Sequence, residues 1–220
     1  MMEHRITALT LQKRNHQRVN VYLDGEFAFG LARIVAAWLQ VGQIISDEKI
    51  AQLRAEDERE TAFQSALRLI QLRPRSENEI RQKLLQRKEK DDVIQAVIER
   101  LKQSGLLNDE AFAREWIENR AELRPRSRRA LAYELSRRGV ERSVIETNLA
   151  EINDDEMAYR AAQNKARKFK DLDWNEFRLK LYRYLAQRGF DYAASQQAIS
   201  RVWQEMHDAE TISEDDEGFL

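Results

Sequence analysis

The pentapeptide LRPRS occurs twice, at residues 72–76 and 123–127, and its two copies hold the only two prolines of this 220-residue chain. Sliding the sequence by 51 positions aligns residues 72–101 with 123–152 without a gap. Nine of those 30 positions are identical: Leu72, Arg73, Pro74, Arg75, Ser76, Leu84, Arg87, Val93 and Ile94 each meet their own residue type. Ile80, Ile98 and Leu101 meet Leu131, Leu149 and Ile152. A further shift of 50 carries Leu131, Leu135, Arg138, Gly139, Leu149 and Ile152 onto Leu181, Leu185, Arg188, Gly189, Ile199 and Val202. Such a period marks a repeat architecture, in which no unit buries its apolar face alone and neighbours must stack.

The repeated corner has a mechanical reading. Pro74 disfavours helix at Arg73 and ends the preceding helix. Ser76 then caps the next one, with Glu79 three residues on as the partner of a capping box. Pro125 and Ser127 repeat the device without the glutamate, and Asp173 with Glu176 gives an equivalent start at the third corner. Gly105, Gly139 and Gly189 stand where helices should stop. Ile80 and Leu84, or Leu131 and Leu135, are four apart and share one helix face. Each repeat therefore reads as helix, corner, helix, short turn, helix.

Residues 6–30 follow a different rhythm. In RVNVYLDGEFAFGL, Val19, Val21 and Leu23 alternate before Asp24-Gly25, and Phe27 and Phe29 alternate after it, which is a two-residue hairpin signal. ITALTLQKR before it reads as a third strand. Three strands hardly stand alone, so the sheet is expected to pack on the helical segment that supplies Ala32, Val35, Ala36 and Leu39, with Trp38 at the seam. Ser46, followed by Asp47 and Glu48, starts the next helix. The expected fold is mainly α: three tandem three-helix repeats in an elongated curved body, with a small N-terminal β-hairpin/sheet element. The expected segments are 1–45 (β element and first helix), 46–106 (linking helix and repeat 1), 107–153 (repeat 2), 154–206 (repeat 3) and 207–220 (acidic tail).

Charge is plentiful and unevenly spread. Charged residues make up 34% of the chain, mean hydropathy is -0.71 and the net charge is -1. Yet all 37 Lys and Arg lie at or before Arg201, while seven of the 38 acids (Glu205, Asp208, Glu210, Glu214, Asp215, Asp216 and Glu217) crowd the end. Residues 1–204 thus set 37 cations against 31 acids, a basic body of +6 followed by a tail of -7. That pattern recurs in chains that touch nucleic acid, the tail competing for the basic surface. It is equally the composition of a plain disordered end. With no cysteine there is neither a disulfide framework nor a thiolate metal site. No apolar run is long enough for a bilayer span and the N-terminus lacks a secretory h-region, so a cytoplasmic protein without a membrane role is expected.

Chemistry-bearing motifs are missing. The sequence has no P-loop, G-x-S-x-G or H-E-x-x-H pattern, and His4, His16 and His207 lie apart without ligand-spaced acids. No enzyme, cofactor or metal is expected. Trp116, Trp174 and Trp203 sit on periodic helices and read as core.

Repetition supplies an internal control: residues shared between copies are structural, whereas those peculiar to one copy are candidates for function. At about 100° per residue, Arg129, Tyr133 and Arg137 form a stripe opposite Leu131 and Leu135. Repeat 1 has Asn78, Gln82 and Gln86 there, and repeat 3 has Leu179, Arg183 and Gln187. Between residues 120 and 142 lie eight arginines (120, 124, 126, 128, 129, 137, 138 and 142), no lysine and only three acids, Glu122, Glu134 and Glu141. Arginine forks suit phosphate or carboxylate, and a tyrosine between them can stack on a base. A solvated helix face is the alternative. The binding reading selects Arg126, Arg128, Arg129, Tyr133, Arg137 and Arg138.

LRLIQLRPRSENEIRQKLLQR (67–87) followed by LKQSGLLNDEAFAREWIENR (101–120) resembles the signature region of the bacterial RecX regulatory proteins. The similarity spans the three helical repeats and is strongest over residues 60–145; ITALTLQKRNHQRVNVYLDGEFAFGL is similar to the β-containing extension of longer members. Matching motif positions are Arg73, Pro74, Arg75, Ser76 and Glu79, then Leu107, Asp109, Phe112, Ala113, Trp116 and Arg120, most of them caps and core by the physical reading. Lys88 stands where the family often places glycine. The resemblance implies tandem three-helix repeats and a monomer that binds the RecA recombinase filament on single-stranded DNA, independently of sequence. It implies modulation, usually inhibition, of strand exchange and ATP hydrolysis. It carries no catalytic residues. The competing reading is a sequence-independent nucleic-acid binder without a recombinase partner.

Overall fold

The computed structural model describes residues 2–216, the side chains of residues 209–216 excepted. The predicted tail acids Glu210, Glu214, Asp215, Asp216 and Glu217 therefore have side chains outside the described residues. The chain divides into two compact units, residues 1–108 and 109–220.

The first unit begins with a sheet. β1 (Glu3–Leu11), β2 (Arg18–Leu23), β3 (Glu26–Ala32) and β4 (Ile44–Ser46) are antiparallel in the order β3-β2-β1-β4. Asp24 and Gly25 both take positive φ (51° and 94°), as the two-residue hairpin requires. One strand more is present than the three expected. β4 offers only Ile45 to the core while Ile44 faces out, so its three residues are too few to show alternation. Its pairing with Glu3–Arg5 is what makes it a strand.

Inward residues Ile6, Val21, Leu31 and Ile45 form a small core with Ala36, Leu39 and Leu53. The predicted helix around residue 35 is a single turn, α1 (Arg33–Ala36). Trp38 is not at the seam: it is 87% exposed, because Ala36 and Leu39 take the inward positions on either side of it.

α2 (Asp47–Leu72) starts where expected, Ser46 Oγ accepting from Lys49 N–H at 3.3 Å. Its first half supplies Leu53 to the sheet core and its second half supplies Ala62, Phe63 and Ala66 to the core of repeat 1. Asp57 fastens it to the sheet by accepting from Arg18 at 2.8 Å and from Ala32 N–H. Glu60, nearly buried, pairs with Arg100 at 2.6 Å. α3 (Glu77–Gln86) and α4 (Asp91–Gln103) complete repeat 1, with Ile80, Leu84, Ile94, Ile98 and Leu101 at most 1% exposed.

The second unit holds α5 (Asp109–Leu123), α6 (Arg128–Arg137) and α7 (Arg142–Leu149), then α8 (Asp154–Ala166), a 3-10 turn, α9 (Trp174–Ala186) and α10 (Tyr192–Asp216). One continuous core runs through both of its repeats, from Phe112 and Leu131 to Phe177, Leu181 and Ile199. Trp116, Trp174 and Trp203 pack against that core half-buried, and Trp203 meets Trp174 and Phe177 edge-on at 5.2 and 4.9 Å.

The capping residues act as read, while the Glu79 carboxylate binds Arg73. Ser76 and Ser127, both fully buried, accept from Glu79 and Ala130 N–H at 3.2 Å, and Asp173 accepts from Asn175 and Glu176. The middle helices of the three repeats stop alike. Glu89, Val140 and Phe190 N–H donate back to Leu84, Leu135 and Leu185, across left-handed residues Lys88, Gly139 and Gly189. Lys88 makes the same turn as the two glycines, at φ 63°.

Candidate functional site

The six selected residues separate into two sets around α6. Leu131 and Leu135 are fully buried, so the opposite side of this helix must face water. Arg129, Tyr133 and Arg137 lie there, all exposed, while Arg128, three residues before Leu131, is exposed as the first residue of the helix and flanks them. Tyr133 is 64% exposed and the Arg137 guanidinium stands 5.9 Å from its ring centre. This set offers exposed cations beside an open aromatic face, a combination that accepts phosphate and a stacked base or an apolar side chain.

Arg126 and Arg138 point elsewhere, toward α5. Glu134 is the hub of that side: it accepts from Trp116 Nε1 at 2.9 Å and Arg120 Nε at 2.9 Å, and it pairs with Arg126 Nε at 2.8 Å. Arg138 lies 3.8 Å over the Trp116 ring, and Arg120 lies 4.5 Å from the same ring. A largely buried carboxylate with three donors, beside an indole with two cations near its ring, ties α6 to α5. The internal control anticipated it, since Arg126 matches Arg75, and Arg138 matches both Arg87 and Arg188. Glu134 went unselected although it is peculiar to one copy, standing where the others have Lys83 and Tyr184.

Repeat 3 joins this edge. Ser127 N–H donates to the Arg188 carbonyl at 3.1 Å, and Arg128 N–H donates to Asp154 at 2.6 Å. The Arg188 guanidinium lies 3.8 Å over Tyr184. Burial pulls its pKa below the ordinary value, Tyr184 opposes this, and the charges of Arg126 and Arg124 add to the lowering.

Four segments match patterns of one family in chain order. Residues 4–46 match the regulatory protein RecX N-terminal domain, and residues 62–101, 108–149 and 153–199 match the first, second and third three-helix domains of RecX. A Clostridium perfringens protein named Regulatory protein RecX is 34% identical over 90% of this chain and 96% of its own length. This chain belongs to the RecX family. A Chlorobium limicola RecX is 33% identical over 68% of the chain and 94% of its own length. A crystal structure of a regulatory protein RecX superposes with a TM-score of 0.69 at 22% identity, covering 89% of this chain and 98% of that one. RecX from Lactobacillus salivarius gives 0.57 at 20% identity, covering 67% and 97%. At these identities the two structures speak for the fold alone: a small N-terminal sheet followed along the chain by three three-helix domains. Among the described residues no helix is long and apolar enough to cross a membrane.

Proposed function

We propose that this chain binds the RecA filament on single-stranded DNA and restrains strand exchange and ATP hydrolysis. Membership of a family of regulatory proteins supports a role exerted through binding. The observation that carries the reading to particular residues is the exposed Arg129, Tyr133 and Arg137 stripe, present in the middle repeat alone and flanked by Arg128. Arginines on the stripe would neutralise phosphates while Tyr133 stacks or packs, and Arg126 and Arg138 would hold α6 in place through Glu134 and Trp116. Modest contacts repeated along a filament sum to useful avidity.

Light-scattering titration against RecA, with and without single-stranded DNA, tests the partner. Binding to the filament well above binding to bare DNA supports the proposal; equal affinity favours a nucleic-acid binder without a recombinase partner. For the residues, replacing Arg129 and Arg137 by Ala should lower the salt slope of binding by about 1 to 2 units, at about 0.7 per phosphate on a single strand. Tyr133→Ala should weaken binding with little change in slope, since stacking releases no counterions. A double arginine variant that inhibits RecA at wild-type concentrations, with an unchanged salt response, would rule this face out.

A further inference from the structure

The second LRPRS corner leaves without an acid the arginine that the first one pairs. In repeat 1, Arg73 makes two bonds to Glu79, each of 3.0 Å. The residue in Glu79's place in repeat 2 is Ala130, and Arg124 has no ion-pair partner among the described residues. Ala130 is small because the turn of repeat 3 sits on it. A Cβ added to Gly189 would lie 2.6 Å from Ser127 Oγ and 3.0 Å from the Ala130 Cβ. That docking, sealed by the bond from Ser127 N–H to the Arg188 carbonyl, delivers a third arginine to the corner. Arg188 Nε is buried and without a hydrogen-bond partner. Arg126 shares its one carboxylate, Glu134, with Arg120 and Trp116.

We propose that the joint formed by Arg124, Arg126 and Arg188 is a binding site for a phosphate group, and that an anion seated there fastens repeat 3 to repeat 2. Arg188, with a buried donor left unpaired, feels the charges of both Arg124 and Arg126, and Glu134 offsets only part of that charge because Arg120 and Trp116 share it; an entering anion relieves the repulsion that remains. Phosphate oxygens match the planar arginine fork, and partial burial strengthens the attraction relative to open water. Because the third arginine arrives only when Gly189 is docked on Ser127 and Ala130, the site exists in the docked joint alone. Anion binding and docking are therefore linked by mass action. The site is separate from the Arg129, Tyr133 and Arg137 stripe, and its test needs no recombinase, so failure of filament binding leaves it standing.

The experiment is thermal unfolding of the full chain in pyrophosphate against sodium chloride of equal ionic strength. Pyrophosphate at about ten times its dissociation constant should raise the Tm by about 3 °C beyond chloride. Arg188→Gln should abolish that response. Since Arg188 also stacks on Tyr184, the exposed Arg124 gives the second variant. Arg124→Glu puts a carboxylate among the cations, so it should melt higher than wild type without ligand and respond to pyrophosphate no more than to chloride. A short oligothymidylate that competes with pyrophosphate identifies the phosphate as that of a nucleic-acid backbone; pyrophosphate stabilisation without competition identifies a free phosphate. A wild-type response no greater than that to chloride, or one retained in full by Arg124→Glu, overturns the proposal.

Discussion

Leu72–Ser76 and Leu123–Ser127 are the same five residues in the same backbone turn, and their surroundings make them different objects. In both, a buried serine caps the following helix and the leading leucine is exposed, 78% at Leu72 and 68% at Leu123. In the first corner both arginines are held. Glu79 holds Arg73, and Arg75 reaches back to the Leu69 carbonyl at 3.2 Å. The second has lost that acid, has taken Glu134 in place of Lys83, and carries the turn of the next repeat against its serine. A shared motif thus specifies a backbone, while its charge state is set by residues three to eleven positions away and by what docks on it.

The largest difference should appear at the position that holds Lys83 in one repeat and Glu134 in the other. Glu134→Ala strands Arg120, Arg126 and the Trp116 N–H, and should cost about 3 kcal/mol. Lys83→Ala removes an exposed side chain and should stay within about 0.5 kcal/mol. Urea unfolding of both variants measures the contrast, and similar costs would mean that the Glu134 hub adds nothing to packing.

Next in size is the left-handed residue after each middle helix. Gly189→Ala meets Ser127 and Ala130 at φ +88° and should cost about 2 kcal/mol. Lys88→Gly should instead stabilise by about 1 kcal/mol, by relieving a left-handed non-glycine residue. A destabilised Lys88→Gly would assign that lysine a contact of its own.

The caps come third. Ser76→Ala should cost about 1 kcal/mol, and should leave partner binding intact once the protein is folded. Ser127→Ala should cost about the same for its cap, and additionally loosen hydrogen-exchange protection at Arg188 and Gly189, which Ser76→Ala leaves unchanged. Loss of RecA binding by Ser76→Ala at unaltered stability would make the first corner a contact surface.

The smallest effect lies away from both corners. His4 bridges Asp24 at 2.9 Å and Asp47 at 3.3 Å. Its pKa is raised chiefly by the bond to Asp24, against partial desolvation, with Asp47 adding to the rise. A raised pKa means that its contribution is complete below the ordinary value of 6.5 and fades as pH climbs through the higher folded value. Hydrogen exchange in β1 should therefore quicken modestly over that rise, and His4→Gln should remove the pH dependence.

Most of the fold was legible because its signals are local. Proline, capping serine and apolar residues four apart act within a turn or two, and the 51-residue repetition multiplied each signal. β4 was not legible, since three residues with one inward side chain carry no period. Trp38 misled because a large aromatic residue invites burial, whereas its neighbours Ala36 and Leu39 already filled the inward positions. The exposed stripe on α6 followed from helical geometry once Leu131 and Leu135 were placed inward. Arg126 and Arg138, chosen with it for the arginine-rich composition, have counterparts in Arg75, Arg87 and Arg188 and lie against Glu134 and Trp116.

By itself, then, the sequence determined the three helical repeats, the corners, the hairpin and which face of α6 meets water. All of these depend on interactions between residues a few positions apart. Which arginines are held by Glu134 and Trp116, and which gather around Gly189, only the tertiary structure decided. Arg126 and Arg188 lie 62 positions apart in the chain, and charges reach each other according to distance and burial in space.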